Sequence, residues 1–154
     1  MNQTFRFSKT NPRFTTFSRE DQLFIDKFEA VILSEEQFHH KEHIKIAWLY
    51  LQLYPVNEVL QRLSNGIKQL AQAFDRPGLY HETITWLYVF IINERMKKMG
   101  QPYEWWRFME NNEDIFVWGN NSLVKKYYKE KTLQSTAAKE WFHLPDNFEF
   151  QFDL

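Results

Sequence analysis

The apolar residues of this chain recur three and four positions apart, which is the period of an amphipathic helix. No stretch of strand length alternates apolar with polar residues, so the pattern favours helices throughout. Ser18, followed by Asp21, has the side-chain chemistry of an N-cap, and a first helix is expected from there to about residue 33. The same spacing predicts long helices over about residues 40–54, 56–74 and 80–99, and short helices over about 104–110, 123–130 and 136–141.

Proline and glycine mark where these helices end. Pro55 disfavours helical geometry in the residue before it, so the second helix should stop there. Pro77 and Gly78 predict a turn directly before the fourth helix, and Gly100 predicts the end of that helix. Because this fourth helix is apolar on nearly every side, it is expected to be the central one.

These elements predict an all-α fold, a compact bundle of four or five main helices with short helices towards the C-terminus. The chain has no internal repeat and no linker rich in glycine, serine or proline, so residues 1–154 are interpreted as a single helical domain. Residues 1–17 are expected to be irregular and residues 144–154 to form an extended tail.

Composition restricts the chemistry more than it changes the fold. The 15 Phe, 7 Tyr and 6 Trp residues predict an aromatic core, and the lack of cysteine excludes disulfides, thiolate metal sites and a cysteine nucleophile. A net charge of −1 argues against general affinity for nucleic acid or acidic membranes. Lysines and tyrosines do alternate at residues 125–131, but a solvated helix face is the more common origin of such a pattern.

No segment has the character of a leader or a membrane anchor. Residues 1–16 contain no apolar run of a secretory signal, which predicts a cytoplasmic protein. The most apolar stretch, residues 84–92, falls well short of the ~20 residues that a membrane span requires. It is therefore interpreted as a buried helix.

Four of the five histidines fall in two short segments, each at the predicted start of an apolar helix. His40 and His43 are three residues apart, so both imidazoles should lie on one helix face, which continues through apolar residues towards the core. His81 and Glu82 begin the central helix, where an interior carboxylate needs a cation or hydrogen-bond donors close by.

If the two helix starts lie side by side, three imidazoles and one carboxylate converge. His40, His43, His81 and Glu82 then form a candidate site for a divalent metal, with a ligand set that suits Zn, Fe, Ni or Mn. Such a metal would polarise a small-molecule substrate or activate water, and Glu82 would serve as ligand or as catalytic general base. The metal-dependent enzyme is thus the first functional hypothesis.

Several alternatives stand beside this hypothesis. The histidines and Glu82 would equally suit a metal-free polar network in a non-catalytic module that binds a small ligand or a protein partner, and Glu82 alone suits the first turn of any helix. A haem held by one histidine is a weaker option. His39 occupies a capping position and is expected to face solvent, whereas packing is the default role for His143.

The histidine segments also support a resemblance that spans residues 38–146. Residues 40–43 read His-Lys-Glu-His, residues 80–83 read Tyr-His-Glu-Thr and residues 144–146 read Leu-Pro-Asp. In these motifs the chain resembles a widespread family of small, uncharacterised bacterial helical proteins. The resemblance implies that the two histidine segments belong together, and it implies no reaction. In that family the position of His39 is often a small capping residue, which agrees with a capping role here.

Overall fold

The computed structural model describes residues 17–100 and 104–147, and these residues form an all-α fold, as predicted. Two 3₁₀ turns, Glu35–Gln37 and Pro77–Leu79, precede the second and fourth helices. Within the described ranges there are nine helices and no strand: α1 Arg19–Glu29, α2 His40–Leu53, α3 Val56–Ala73, α4 Glu82–Lys98, α5 Trp105–Asn111, α6 Glu113–Phe116, α7 Val124–Tyr127, α8 Glu130–Gln134 and α9 Thr136–Glu140.

Helix α4 is the central helix, which confirms the expectation from its apolar sequence. It packs against α2, α3 and α9. Ile92 and Val89 are completely buried, and the buried face of α3 contributes Val59 and Leu70 to the same core. Burial of aliphatic side chains of this size contributes about 1.5–3 kcal/mol each, so the α2–α3–α4 layer is where most of the stability resides.

Helices α1 and α3 end in the same way, at a residue with positive φ. Val31 has φ +57°, and the N–H of Ile32 donates to the carbonyl of Lys27 at 3.1 Å. Asp75 has φ +56°, and the N–H of Arg76 donates to the carbonyl of Ala71 at 2.9 Å. Both are Schellman ends, in which a left-handed residue reverses the chain. For this reason α1 stops at Glu29, four residues before the predicted end.

The C-terminal part differs most from the prediction. A single helix was expected over residues 123–130, but Tyr128 is extended and splits this stretch into α7 and α8. Its ring is buried and its hydroxyl donates to the carbonyl of His143 at 2.5 Å, so tertiary packing outweighs the local helical pattern. Helix α6, which contacts α2, was not predicted at all.

The ends of the chain can be compared with the prediction only in part. Residues 142–147 contain no helix, in agreement with the start of the expected tail. The expected irregular segment 1–16 and the remainder of the tail, residues 148–154, lie outside the described residues. In the described part of the chain, no helix has the length and apolar character needed to cross a membrane.

Candidate functional site

A cavity of about 860 Å³ lies where α2, α3 and α4 meet the two 3₁₀ turns. Its walls are mainly apolar, because each of the three helices turns part of its apolar face towards it. His40, the first residue of α2, and His81, the N-cap of α4, lie on its border, so the two histidine segments share one cavity. Among the aliphatic lining residues are Ile44, Ala47, Leu63, Ile67, Leu70 and Ala71.

His40 is the first residue of α2 and is held in place on three sides. Its Nε2 lies 2.8 Å from the carbonyl oxygen of Ile115, and because a carbonyl only accepts, Nε2 carries the proton. The ring packs edge-on to Tyr88 at 4.9 Å and against Trp118 at 4.7 Å, measured between centroids. Burial lowers the pKa of His40, so the ring is neutral and Nδ1 is left as an acceptor.

His43 lies one turn further along the same face of α2. Neither of its ring nitrogens makes a hydrogen bond to another described residue, although the ring packs on Phe38 with centroids 4.3 Å apart. Burial, followed by the neighbouring His40 and His39, lowers the pKa of His43 to about 3. His43 therefore offers a neutral imidazole to the cavity, with one donor and one acceptor unused.

His81 also lines the cavity, but both of its nitrogens are already in use. Nδ1 accepts the N–H of Ile84 at 3.3 Å and so caps α4. Nε2 lies 2.8 Å from the carbonyl oxygen of Leu133 and donates to it. Burial, and secondarily the charge of Lys139, lowers the pKa of His81. Its role is to join α4 to α8 and to keep a neutral ring in the wall.

Glu82 does not line the cavity. Its carboxylate accepts the hydroxyl of Tyr80 and lies 3.6 Å from the ammonium group of Lys68. Lys68 also lies over the Tyr80 ring, 4.9 Å from its centroid. The side chain of Glu82 is 12% exposed, so it is the interior carboxylate that the sequence predicted, with the expected cation beside it.

These positions separate the four predicted metal ligands. His40, His43 and His81 border one cavity, whereas Glu82 faces the polar cluster with Tyr80 and Lys68. Across residues 17–100 and 104–147, no three His, Cys, Asp or Glu side chains are arranged to hold a metal ion. The metal hypothesis thus gains no support from this geometry and stays a prediction.

The side chain of Thr83, the last residue of the 80–83 segment, connects α4 to the C-terminal segment. Its hydroxyl is fully buried, 2.7 Å from the carbonyl oxygen of Ala138 and 2.9 Å from that of Trp141. It also accepts the backbone N–H of His143 at 3.1 Å. The side chain therefore ties the C-terminal segment to α4, and His143 takes part through its backbone, in keeping with the packing role expected for it.

His39 is at the N-cap of α2 and is exposed, as expected from its position in the sequence. Its backbone N–H donates to the carboxylate of Glu42 at 3.0 Å, so the first turn of α2 is closed by that acid. His39 also borders the opening of the cavity.

The residues that form the opening were not identified from the sequence. Trp118, which is 59% exposed, covers one side of His40 from the loop before Gly119, and Lys139 reaches the opening from α9. Arg76 and Glu35, each placed just after a Schellman end, form an ion pair there. No periodic or motif signal marks these residues, since they are brought together only by tertiary packing.

Known proteins do not assign this site. Comparisons with protein-family models, with curated proteins and with solved structures found no significant match. The resemblance based on the histidine motifs is therefore untested, and the site has to be interpreted from its own geometry.

Proposed function

We propose that this protein binds a small molecule in the cavity bordered by His40, His43 and His81, as a non-catalytic binding module. The observation that carries the proposal is a mainly apolar cavity in which the His43 imidazole has no hydrogen-bond partner among the described residues. Small-molecule sites need only a few polar groups to orient a ligand, and the His43 imidazole supplies one donor and one acceptor that no described residue uses.

The size of the cavity supports this function. Small-molecule sites typically enclose about 300–1,000 Å³ with mostly apolar walls and a few polar groups that orient the ligand. At about 860 Å³, with aliphatic walls and the two α2 imidazoles, this cavity fits that description.

The hydrogen bonds of the histidines favour binding over metal-dependent catalysis. His81 uses one nitrogen as a helix cap and the other as a donor to Leu133, and Glu82 lies outside the cavity lining. A metal enzyme would require both groups to leave these contacts. A ligand that hydrogen-bonds to His43 and to Nδ1 of His40 requires no such rearrangement.

Binding of an uncharged fluorescent dye, N-phenyl-naphthylamine, tests the proposal. The dye should bind with a stoichiometry of one per chain and increase its emission in the apolar cavity. Ala71→Phe places a ring in the cavity from the buried wall of α3, so we expect about a tenfold or greater loss of affinity. Fluorescence titration measures both quantities.

The control is Ala73→Phe, which adds the same ring at an exposed position two residues further along α3. It should leave dye affinity unchanged. Ala47→Leu narrows the cavity from α2 and serves as a second test if the first variant is unstable. Saturable binding that neither cavity variant weakens would place the dye elsewhere and refute the proposal.

A further inference from the structure

We infer that the ligand is an anionic amphiphile, an apolar chain or ring that carries a single acidic head group. This inference rests on the proposed binding function and specifies the class of molecule that the cavity takes. It follows from the contrast between the aliphatic walls of the cavity and the basic residues around its opening.

The opening carries more positive than negative side chains. Lys41 and Lys139 both border it, both are exposed, and neither forms an ion pair with another described residue. Arg76 is neutralised by its ion pair with Glu35, which also borders the opening. Two lysine charges therefore remain for a ligand.

This local excess is not a property of the whole protein. The complete chain has a net charge of −1, so a uniformly mixed surface would have no basic bias at this position. Glu42 and Glu140, the acids next to Lys41 and Lys139 in sequence, are both absent from the cavity lining. The residues around the opening are thus more basic than the chain as a whole.

The two helix ends at the cavity act in the same direction. His40, the first residue of α2, and His81, the N-cap of α4, both line it, and helices of 14 and 17 residues place partial positive charge at these ends. Each helix also carries one acid in its first turn, Glu42 in α2 and Glu82 in α4, although neither acid lines the cavity. Because these acids offset part of the charge of the helix ends, the preference for an anion over a cation at the opening rests mainly on the two lysines.

The walls define the other half of the ligand. Below the opening, α3 presents Leu63, Ile67 and Leu70 to the cavity, so a sugar or a nucleotide would leave most of its polar groups without partners. An alkyl or aromatic body instead removes apolar surface from water. The geometry therefore selects an apolar body inside and a charged head outside.

A competition series tests the charge preference directly. Decanoate, decanol and decyltrimethylammonium share one chain and differ in the head group, and each can displace N-phenyl-naphthylamine from the protein. We expect decanoate to compete about tenfold more tightly than decanol, and the cation to be the weakest competitor. Decyl phosphate distinguishes a general preference for anions from a preference for carboxylates.

Paired variants locate the effect at the opening. In K41Q/K139Q the ratio of decanol to decanoate dissociation constants, each measured by displacement of the same dye from this variant, should fall to about one. The matched control K97Q/K126Q removes two exposed lysines that do not border the cavity, and it should keep the advantage of decanoate. Because all four lysines are exposed, these variants are expected to fold.

The outcomes separate the two proposals. If the dye binds in the cavity but decanoate is no better than decanol, or if K41Q/K139Q keeps its preference, the inference about the ligand class is wrong and the binding function stands. If neither the dye nor any amphiphile binds, the binding function itself fails. An advantage of decanoate that only K41Q/K139Q abolishes supports both.

Discussion

His43 shows how one residue can be polar without being charged. It packs on Phe38 in the wall of the cavity, and a proton on its ring would have to be accommodated beside His40 and away from water. Desolvation therefore keeps the imidazole neutral and lowers its pKa to about 3. At the scale of the single residue, this suits hydrogen bonding to a ligand better than proton transfer near neutral pH.

The lowered pKa of His43 predicts a dependence of stability on pH. Between about pH 6.5 and pH 3 the unfolded chain holds a proton on this residue and the folded chain does not, so the free energy of unfolding should fall as the pH falls. Each pH unit costs about 1.4 kcal/mol, so acidification from pH 6.5 to pH 4.5 should cost about 2–3 kcal/mol through His43. Urea unfolding at the two pH values measures this loss.

The variant that tests the role of His43 is His43→Gln. Between pH 6.5 and pH 4.5 its free energy of unfolding should fall by about 2–3 kcal/mol less than that of the unmodified protein. Protonation of carboxylates with a lowered pKa, such as those of Asp114 and Asp146, also reduces the free energy of unfolding in acid, but this reduction is the same in both proteins. His39→Gln, at the exposed neighbouring position, should behave like the unmodified protein. Equal acid sensitivity in H43Q and the unmodified protein would contradict the assignment of this loss to His43.

The two hydrogen bonds of the His81 ring predict that the protein holds little metal. Since its nitrogens cap α4 and donate to Leu133, a metal ion would have to displace one of these contacts. Protein purified without a histidine tag under metal-replete conditions should therefore hold less than stoichiometric metal, and chelation should leave its thermal midpoint unchanged. Stoichiometric Zn, Fe, Ni or Mn, together with a lower midpoint after chelation, would restore the metal-centre hypothesis.

At the scale of the elements, α4 organises the C-terminal half of the molecule. His81 holds the carbonyl of Leu133 at the end of α8, and Thr83 holds the carbonyls around α9, within three residues of sequence. These are side chain to backbone contacts, so they depend little on the sequence of α8 and α9. The first turn of α4 therefore serves at once as cavity wall and as attachment point for short helices that are marginal in isolation.

Thr83→Val tests this attachment. Valine keeps the shape of the side chain but removes the single hydroxyl proton shared by the carbonyls of Ala138 and Trp141 and the acceptor of the His143 N–H, and this should cost about 1–3 kcal/mol in the free energy of unfolding. Thr136→Val makes the same change at an exposed position in α9 and should cost far less. Denaturant titration compares the two, and equal losses would argue against the attachment.

The long helices could be predicted from the sequence because their signals are local. Ser18 does cap α1, and the predicted limits of α2, α3 and α4 lie within about two residues of those observed. The side-by-side placement of His40 and His43 also follows from helix geometry alone. In contrast, the hydrogen-bond acceptors for His40 and His81 are carbonyl groups on α6 and at α8, and their arrival depends on tertiary packing that no local pattern encodes.

At the scale of the whole molecule, the same helices form the core and the cavity. The residues of α2 and α3 that line the cavity, among them Ile44 and Leu70, are also buried residues of the bundle core, so the cavity is bounded by the packed layer of the fold. The opening is different, because Trp118, Lys139 and Arg76 come from three separate segments outside this layer. Affinity for the apolar part of a ligand thus depends on the α2–α3–α4 layer, and selection of the ligand's head group depends on the residues around the opening.

The positions of the two Schellman ends also indicate where homologues of this protein can differ in sequence without disturbing the core. The partners of the Glu35–Arg76 ion pair are 41 positions apart, and each follows a chain reversal at the end of α1 or α3. An insertion or deletion after either reversal would reshape the entrance while the α2–α3–α4 core kept its register. Homologues could therefore exchange the molecules they accept through changes in two short connections, with no cost to the packing that makes the chain fold.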